Sequence, residues 1–187
     1  MNNMFDSSSI KSIISYAKNI KNKTLRQACG DEILKHDFNG KGNFGQLLEK
    51  FYFGYEPNSN PEPDFKEVGI ELKSSPLKVL KNGEYRSKER LVLNIINYLN
   101  VSQEEFETSS FLKKNAHLLL VFYLHDKDSD VLDYLIKLVG NWQYPHDDLK
   151  IIKKDLCLSY HCYRMTYFLR CIFLGFWLVW NTSTIST

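Results

Sequence analysis

The chain has 187 residues, a mass of 21.9 kDa and a net charge of +2, with 25% charged and 43% hydrophobic residues. Those figures describe one globular domain that buries a core without disulfides or a structural metal. They exclude a chain whose overall field alone draws it to a polyanion: residues 156–187 hold no Asp or Glu and two Arg, which leaves 22 basic against 22 acidic residues in the rest.

From Met1 to Lys23 no apolar run of signal-peptide length occurs, because Lys11, Lys18, Lys21 and Lys23 interrupt it. The expectation is a cytoplasmic, reducing setting in which Cys29, Cys157, Cys162 and Cys171 are thiols. Residues 7–35 read as two helices. Ser7–Ser9 offers caps, Ile10, Ile13, Ile14 and Ala17 recur at helical spacing, and a second pattern over Leu25, Ala28, Ile33 and Leu34 is broken by Gly30. His36 to Asn43 is a loop by its Asn and Gly content. Phe44, Leu47, Leu48 and Phe51 follow i, i+3, i+4, i+7, an amphipathic helix with Glu49 on its flank.

Tyr55–Pro63 is a Pro/Asn loop that cannot continue a helix. Asp64 to Ser75 reads as two extended pieces with Gly69 between them, and Lys81-Asn82-Gly83-Glu84 carries the Asn-Gly hairpin signal. Leu91–Tyr98 and His117–Leu124 are apolar runs of strand length, the second nearly continuous and therefore expected at the centre of a sheet. Val131, Leu132, Leu135, Leu138 and Val139 suggest another helix.

After Asp155 the texture changes. Of the 32 residues from Leu156 to Thr187, 20 are hydrophobic, and they carry three of the four Cys and two of the three Trp with neither period 2 nor period 3.6. Met165–Trp180 is short for a membrane span and contains Arg170. The spacing of Cys157, His161 and Cys162 fits no paired-Cys zinc template, and Gly40-Lys41-Gly42 is not a P-loop, because no Gly-Lys-Ser/Thr follows.

The residues that can carry chemistry are Asp64, Glu71 and Lys73. In a strand, i and i+2 share a face, so Glu71 and Lys73 project side by side, and Asp64 folds back beside them from the preceding piece. Two carboxylates and an ammonium on one spot supply what phosphodiester hydrolysis needs. Hard oxygens hold Mg²⁺, and the ammonium orients water or offsets charge developing on the phosphate. A solvated strand face produces the same short pattern. Lys78, Lys81, Arg86, Lys88 and Arg90 form a basic run, diluted by Glu84 and Glu89, that fits either a phosphate-contacting surface or a solvated hairpin.

The run Lys41-Gly42-Asn43-Phe44-Gly45-Gln46-Leu47-Leu48-Glu49 is followed by Pro63-Asp64-Phe65, Val68-Gly69-Ile70-Glu71-Leu72-Lys73 and Pro76. With Ser87–Tyr98 and Phe106–Lys114, these blocks resemble the MutH family of mismatch-repair nicking endonucleases, and in particular its GATC-cutting restriction-enzyme branch, over about residues 36–155. The resemblance implies an α/β, restriction-endonuclease-like central mixed sheet flanked by helices. It implies Asp64 and Glu71 as metal-binding carboxylates, Lys73 as the motif lysine, Glu49 as an additional acidic residue and Lys114 as a second active-site lysine. Spacing alone makes Glu49 an exposed helix residue and Lys114 a solvated loop charge.

The resemblance further implies a Mg²⁺-dependent endonuclease acting on double-stranded DNA, at GATC, with no small-molecule cofactor; oligomeric state is left open. It stops near Ile151–Asp155. The expectation is therefore a catalytic domain over 1–155, incomplete at its C-terminal side, and a non-family apolar tail over 156–187. Loss of all acids with gain of Cys and aromatics is what out-of-frame translation of AT-rich coding DNA produces. The alternatives are an inactive remnant with weak DNA binding and a protein held at a membrane through residues 165–180.

Overall fold

A computed structural model of the chain describes residues 5–30, 33, 44–57, 60–93 and 104–165, the last ten of these by their backbone only. Ser9 caps helix α1 (Ile10–Lys18) by accepting a hydrogen bond from the Ser12 N–H, and Thr24 opens α2 (Leu25–Cys29) with a reciprocal capping box to Gln27. Helix α3 (Phe44–Leu47) passes directly into a π-helical turn, Leu48–Phe53, closed by Gly54 at φ +77°. The wider turn adds a residue to the period. The inward face therefore moves on from Phe51, which is half-buried, to Tyr52 and Phe53, which are buried.

Among the described residues there is one mixed four-stranded sheet, in the order β2-β1-β3-β4. Strand β1 (Glu71–Val79) pairs in parallel with β3 (His117–Leu124) and antiparallel with the short β2 (Tyr85–Ser87) across the Asn82-Gly83 turn. Strand β4 (Ile136–Gln143) lies antiparallel on the far side of β3. All of β3 except Leu124 is buried, as its unbroken apolar run predicts for a central strand. Leu72, Leu119, Val121, Ile136 and Val139 face one way, onto Ile13, Ala17, Leu25, Phe44 and Leu48 of the N-terminal helices. Leu77, Leu118, Leu120 and Phe122 face the other way, with Leu91, Leu93, Leu138 and Trp142 packed against them. This is the expected α/β arrangement of a mixed sheet with helices.

One local expectation fails. Val131–Val139 is not a helix: it is a single 3₁₀ turn, Val131–Asp133, followed by the start of β4. Asp130 opens that turn by accepting from the Leu132 N–H, the chain leaves it extended at Tyr134, and Ile136 exchanges backbone hydrogen bonds with Asn22 and Lys23. Long-range pairing with β3 thus overrides an apolar spacing that suits either structure. Leu91–Leu93 is irregular, and the rest of the apolar run to Tyr98 lies outside the described residues, as does the loop His36–Asn43.

Helix α4 (Ser110–Asn115) leads into β3, capped by Ser109. Helix α5 (His146–Met165) continues ten residues past Asp155, where no apolar period was found. No Pro or Gly occurs between Pro145 and Gly175, so local propensity does not stop it. Among the described residues no helix is long and apolar enough to cross a membrane. Residues 166–187, including most of the candidate span 165–180, lie outside them.

Leu119 is fully buried at the middle of the sheet. Leu119→Ala should cost about 2–5 kcal/mol, the range for deleting a core leucine; urea unfolding followed by circular dichroism measures it.

Candidate active site

Asp64 reaches Glu71 through a tight reversal of the chain. Phe65 and Ile70 form an antiparallel bridge, with the Phe65 N–H 2.9 Å from the Ile70 carbonyl and the Ile70 N–H 3.3 Å from the Phe65 carbonyl. Gly69 makes the turn at φ +68°, a conformation that a residue with a side chain adopts only with strain. One step outward on an antiparallel ladder, the residues facing each other are Asp64 and Glu71. The spacing of seven between the two carboxylates is the length of this turn.

The two side chains are locked to the backbone reciprocally. The Leu72 N–H donates to Asp64 Oδ2 at 2.9 Å, and the Asp64 N–H donates to Glu71 Oε2 at 3.2 Å. The other Glu71 oxygen, Oε1, lies 2.9 Å from Lys73 Nζ and 3.7 Å from Lys114 Nζ. Lys114 comes from α4, ahead of the parallel strand β3, and its ammonium also donates to the Asn60 carbonyl at 2.6 Å. Glu71 is buried at 3% exposure, so these partners are what make its charge tolerable there.

Glu49 sits in the first turn of the π-helical segment. Burial, then the charges of Asp64 and Glu71, lift its carboxyl to about 7, against the opposing pull of Lys73 and Lys114. Burial and Glu71 likewise hold Asp64 up to about 6, despite the hydrogen bond from Leu72. Neither Glu49 nor Lys114 is the solvated charge that spacing alone implied. Glu49 is half-buried, and the Lys114 side chain is 14% exposed. The structure therefore brings Glu49, Asp64, Glu71, Lys73 and Lys114 together at the end of the sheet where β1 begins.

It does not bring the basic run there. Lys78 on β1 faces Arg86 on β2, Lys81 lies in the turn, and Lys88 and Arg90 follow β2; all five are exposed. They occupy the other end of β1, seven residues or more from Glu71, which is roughly 23 Å at strand rise. Lys88 Nζ lies 3.8 Å from Glu89 Oε1.

Two of these hard carboxylates, Glu49 and Asp64, are raised by burial and then by their acidic neighbours, a state that a divalent cation would relieve. Among the described residues no group of three or more His, Cys, Asp or Glu side chains is gathered closely enough to cage an ion unaided. The fit is to a cation that retains its waters and takes one or two protein carboxylates.

Residues 53–155 match the family model of the DNA mismatch repair enzyme MutH. The chain belongs to the MutH family. Asp64, Glu71, Lys73 and Lys114 all lie in the matched MutH segment, and Glu49 lies just ahead of it. The chain is 43% identical over 141 residues to the type II restriction enzyme Sau3AI of Staphylococcus aureus, covering 74% of this chain and 28% of that protein. It is 33% identical over 122 residues to the MutH protein of Shewanella woodyi, covering 65% of this chain and 49% of the relative. For the MutH protein of Vibrio campbellii the figures are 29% over 126 residues, 66% and 51%. The chain thus spans about half the length of these MutH relatives and less of the restriction enzyme.

One participant is not announced by residue identity: the Asn60 carbonyl, a backbone group in the Tyr55–Pro63 loop that holds Lys114.

The raised carboxyls have a consequence for stability. In the unfolded chain Glu49 and Asp64 titrate near their ordinary values of 4.5 and 3.8. Between those values and about 7 and about 6, the folded state binds more protons than the unfolded one. Stability is therefore lost as pH rises through the window and is recovered as pH falls. The metal-free protein should melt at progressively lower temperature from about pH 4.5 to about pH 8. Glu49→Gln should flatten that slope and raise the melting point at pH 8, as scanning calorimetry across the range would show.

Proposed function

We propose that this chain is a Mg²⁺-dependent DNA endonuclease that hydrolyses phosphodiester bonds in double-stranded DNA at GATC sites. The observation that carries the reading is the convergence of Asp64, Glu71, Lys73 and Lys114 from three separate segments, within the part of the chain that matches the MutH family. The GATC site follows the branch that the motifs resemble, and its restriction-enzyme relative supports a restriction role.

Asp64 and Glu71 would hold the cation. When bound, it supplies positive charge to the scissile phosphate and lowers the pKa of a water. The protein's own groups do the rest. Lys73, held 2.9 Å from Glu71 Oε1, keeps an ammonium at the site to orient the attacking water and to offset charge growing on the phosphate oxygens. Lys114, tied to the Asn60 carbonyl, adds a second positive charge from a different direction. Glu49, half-buried at the same site, adds a carboxylate placed to take or release a proton.

The basic hairpin belongs to the same proposal as a phosphate-contacting surface. Lys78 and Arg86 are direct cross-strand partners; like charges so placed repel, and a phosphate between them relieves the repulsion. The division into a catalytic domain over 1–155 and a tail over 156–187 is likewise proposed, supported by the change of composition at Asp155 and by the end of the family match there.

The test is digestion of supercoiled plasmid with and without GATC sites, in Mg²⁺ and in EDTA. Cleavage should require both Mg²⁺ and GATC. Asp64→Ala should abolish it, and Lys73→Ala should slow it by roughly a hundredfold or more, the scale for losing a transition-state electrostatic contact. Undiminished cleavage by Lys73→Ala would overturn the assignment.

A further inference from the structure

Tyr55 is the second residue after the π-helical turn and follows Gly54, which is in the left-handed conformation. Its N–H donates to the Glu49 carbonyl at 3.2 Å, so the residue is tied to the backbone of one site carboxylate. Its ring meets Phe65 edge-on, with centroids 5.7 Å apart and planes at 81°, and Phe65 is the neighbour of another, Asp64. A second ring, Phe53, holds it at 6.4 Å. The phenol is thus fixed between the two sides of the carboxylate cluster by packing and by one backbone hydrogen bond.

The hydroxyl at the end of that ring is buried and has no hydrogen-bond partner among the described residues. Buried hydroxyls are nearly always satisfied, because leaving one without a partner costs free energy. Among the described residues two other buried side-chain atoms share the condition, Asn115 Oδ1 and Tyr144 Oη. Asn115 still donates through its amide to the Phe111 carbonyl. Burial alone acts on Tyr144. On Tyr55, burial and then the charges of Asp64, Glu49 and Glu71 all oppose loss of the phenolic proton. This hydroxyl is therefore a donor at any working pH, on a ring packed against Phe53 and Phe65, and among the described residues no acceptor takes its proton.

We propose that Tyr55 is a further residue of the active site, whose hydroxyl donates a hydrogen bond to an oxygen of the ligand taken up between Glu49 and Asp64. Two sources carry such an oxygen: water held by a divalent cation, and a phosphate oxygen of the DNA backbone. The inference rests on the nuclease reading of the site, and it adds to that reading a neutral donor where the other side chains are charged.

Tyr55→Phe removes the oxygen and keeps the ring, so the packing against Phe65 and Phe53 survives. Because the lost hydroxyl has no protein partner, the variant should melt at or above the wild-type temperature, where a structural hydroxyl would lower it. Binding supplies the functional readout in two arms. Calorimetric titration with Mg²⁺ or Mn²⁺ alone reads the water contact. Titration with a GATC duplex in Ca²⁺ reads the phosphate contact. In one arm Tyr55→Phe should bind about tenfold more weakly, the scale of one hydrogen bond to a charged ligand shell, and the arm affected names the source. Tyr144→Phe should leave both arms unchanged.

Equal binding by wild type and Tyr55→Phe in both arms overturns the inference and leaves the nuclease reading standing. A wild-type chain that binds neither cation nor duplex overturns the nuclease reading, and the inference with it. A fall in melting temperature with unchanged binding assigns Tyr55 to the core alone and overturns it as well.

Discussion

Glu71 is a carboxylate with 3% exposure at the first residue of a strand, and an ionised group taken that far out of water has to be compensated from several directions. The compensation comes from elements remote in sequence. The Asp64 N–H arrives through the Gly69 turn, Lys73 from the same face of β1, and Lys114 from the helix that feeds β3. The Asn60 carbonyl then holds Lys114 in turn. The Pro/Asn loop, β1 and α4 therefore converge on one carboxylate. Removing a single partner would leave a buried charge exposed to its own desolvation, which is why the site and the local fold are one structure.

The compensation is incomplete by design of the charges. Glu49, Asp64 and Glu71 stand against Lys73 and Lys114, and burial first and the surplus of one negative charge second raise the carboxyls of Glu49 and Asp64. A divalent cation would turn that surplus into a single positive charge, the complement of one phosphodiester. A ligand that neutralised this surplus would stabilise the fold, since anything that binds the folded state alone stabilises it. A site that repels itself when empty is the electrostatic counterpart of trading stability for function.

Much of this was legible in the sequence because it depends on short-range rules. Glu71 and Lys73 share a face by strand alternation, and Gly69 between two extended pieces announced the reversal that sets Asp64 opposite Glu71. The central position of His117–Leu124 followed from its unbroken apolar run. What escaped depends on partners far away along the chain. The spacing from Val131 to Val139 suits a helix until β3 is present to pair with it. Lys114 looks like a surface lysine by spacing, and the family resemblance alone singled it out, because the Asn60 carbonyl and Glu71 that surround it are remote in sequence. The π-helical turn is invisible to a period of 3.6, because its extra residue shows only as a drift of the buried face from Phe51 to Tyr52 and Phe53.

That turn explains why the N-terminal helices belong to the site although the family match begins at residue 53. Tyr16 on α1 donates its hydroxyl to the Tyr52 carbonyl at 3.1 Å, Tyr52 returns a hydroxyl to the Tyr16 carbonyl at 2.7 Å, and the rings stack at 4.5 Å. Two helical segments joined at both backbones and by their rings cannot slide or rotate independently. Glu49 lies three residues before Tyr52 in the same π turn, so this clamp sets the direction in which its carboxylate points. The apolar cluster under it, from Ile13 and Ala17 through Leu48 to Leu72 and Leu119, makes α1 and β1 parts of one packed body. The placement of a charge at the mouth of the site is thereby determined by two tyrosines and a core that face away from it.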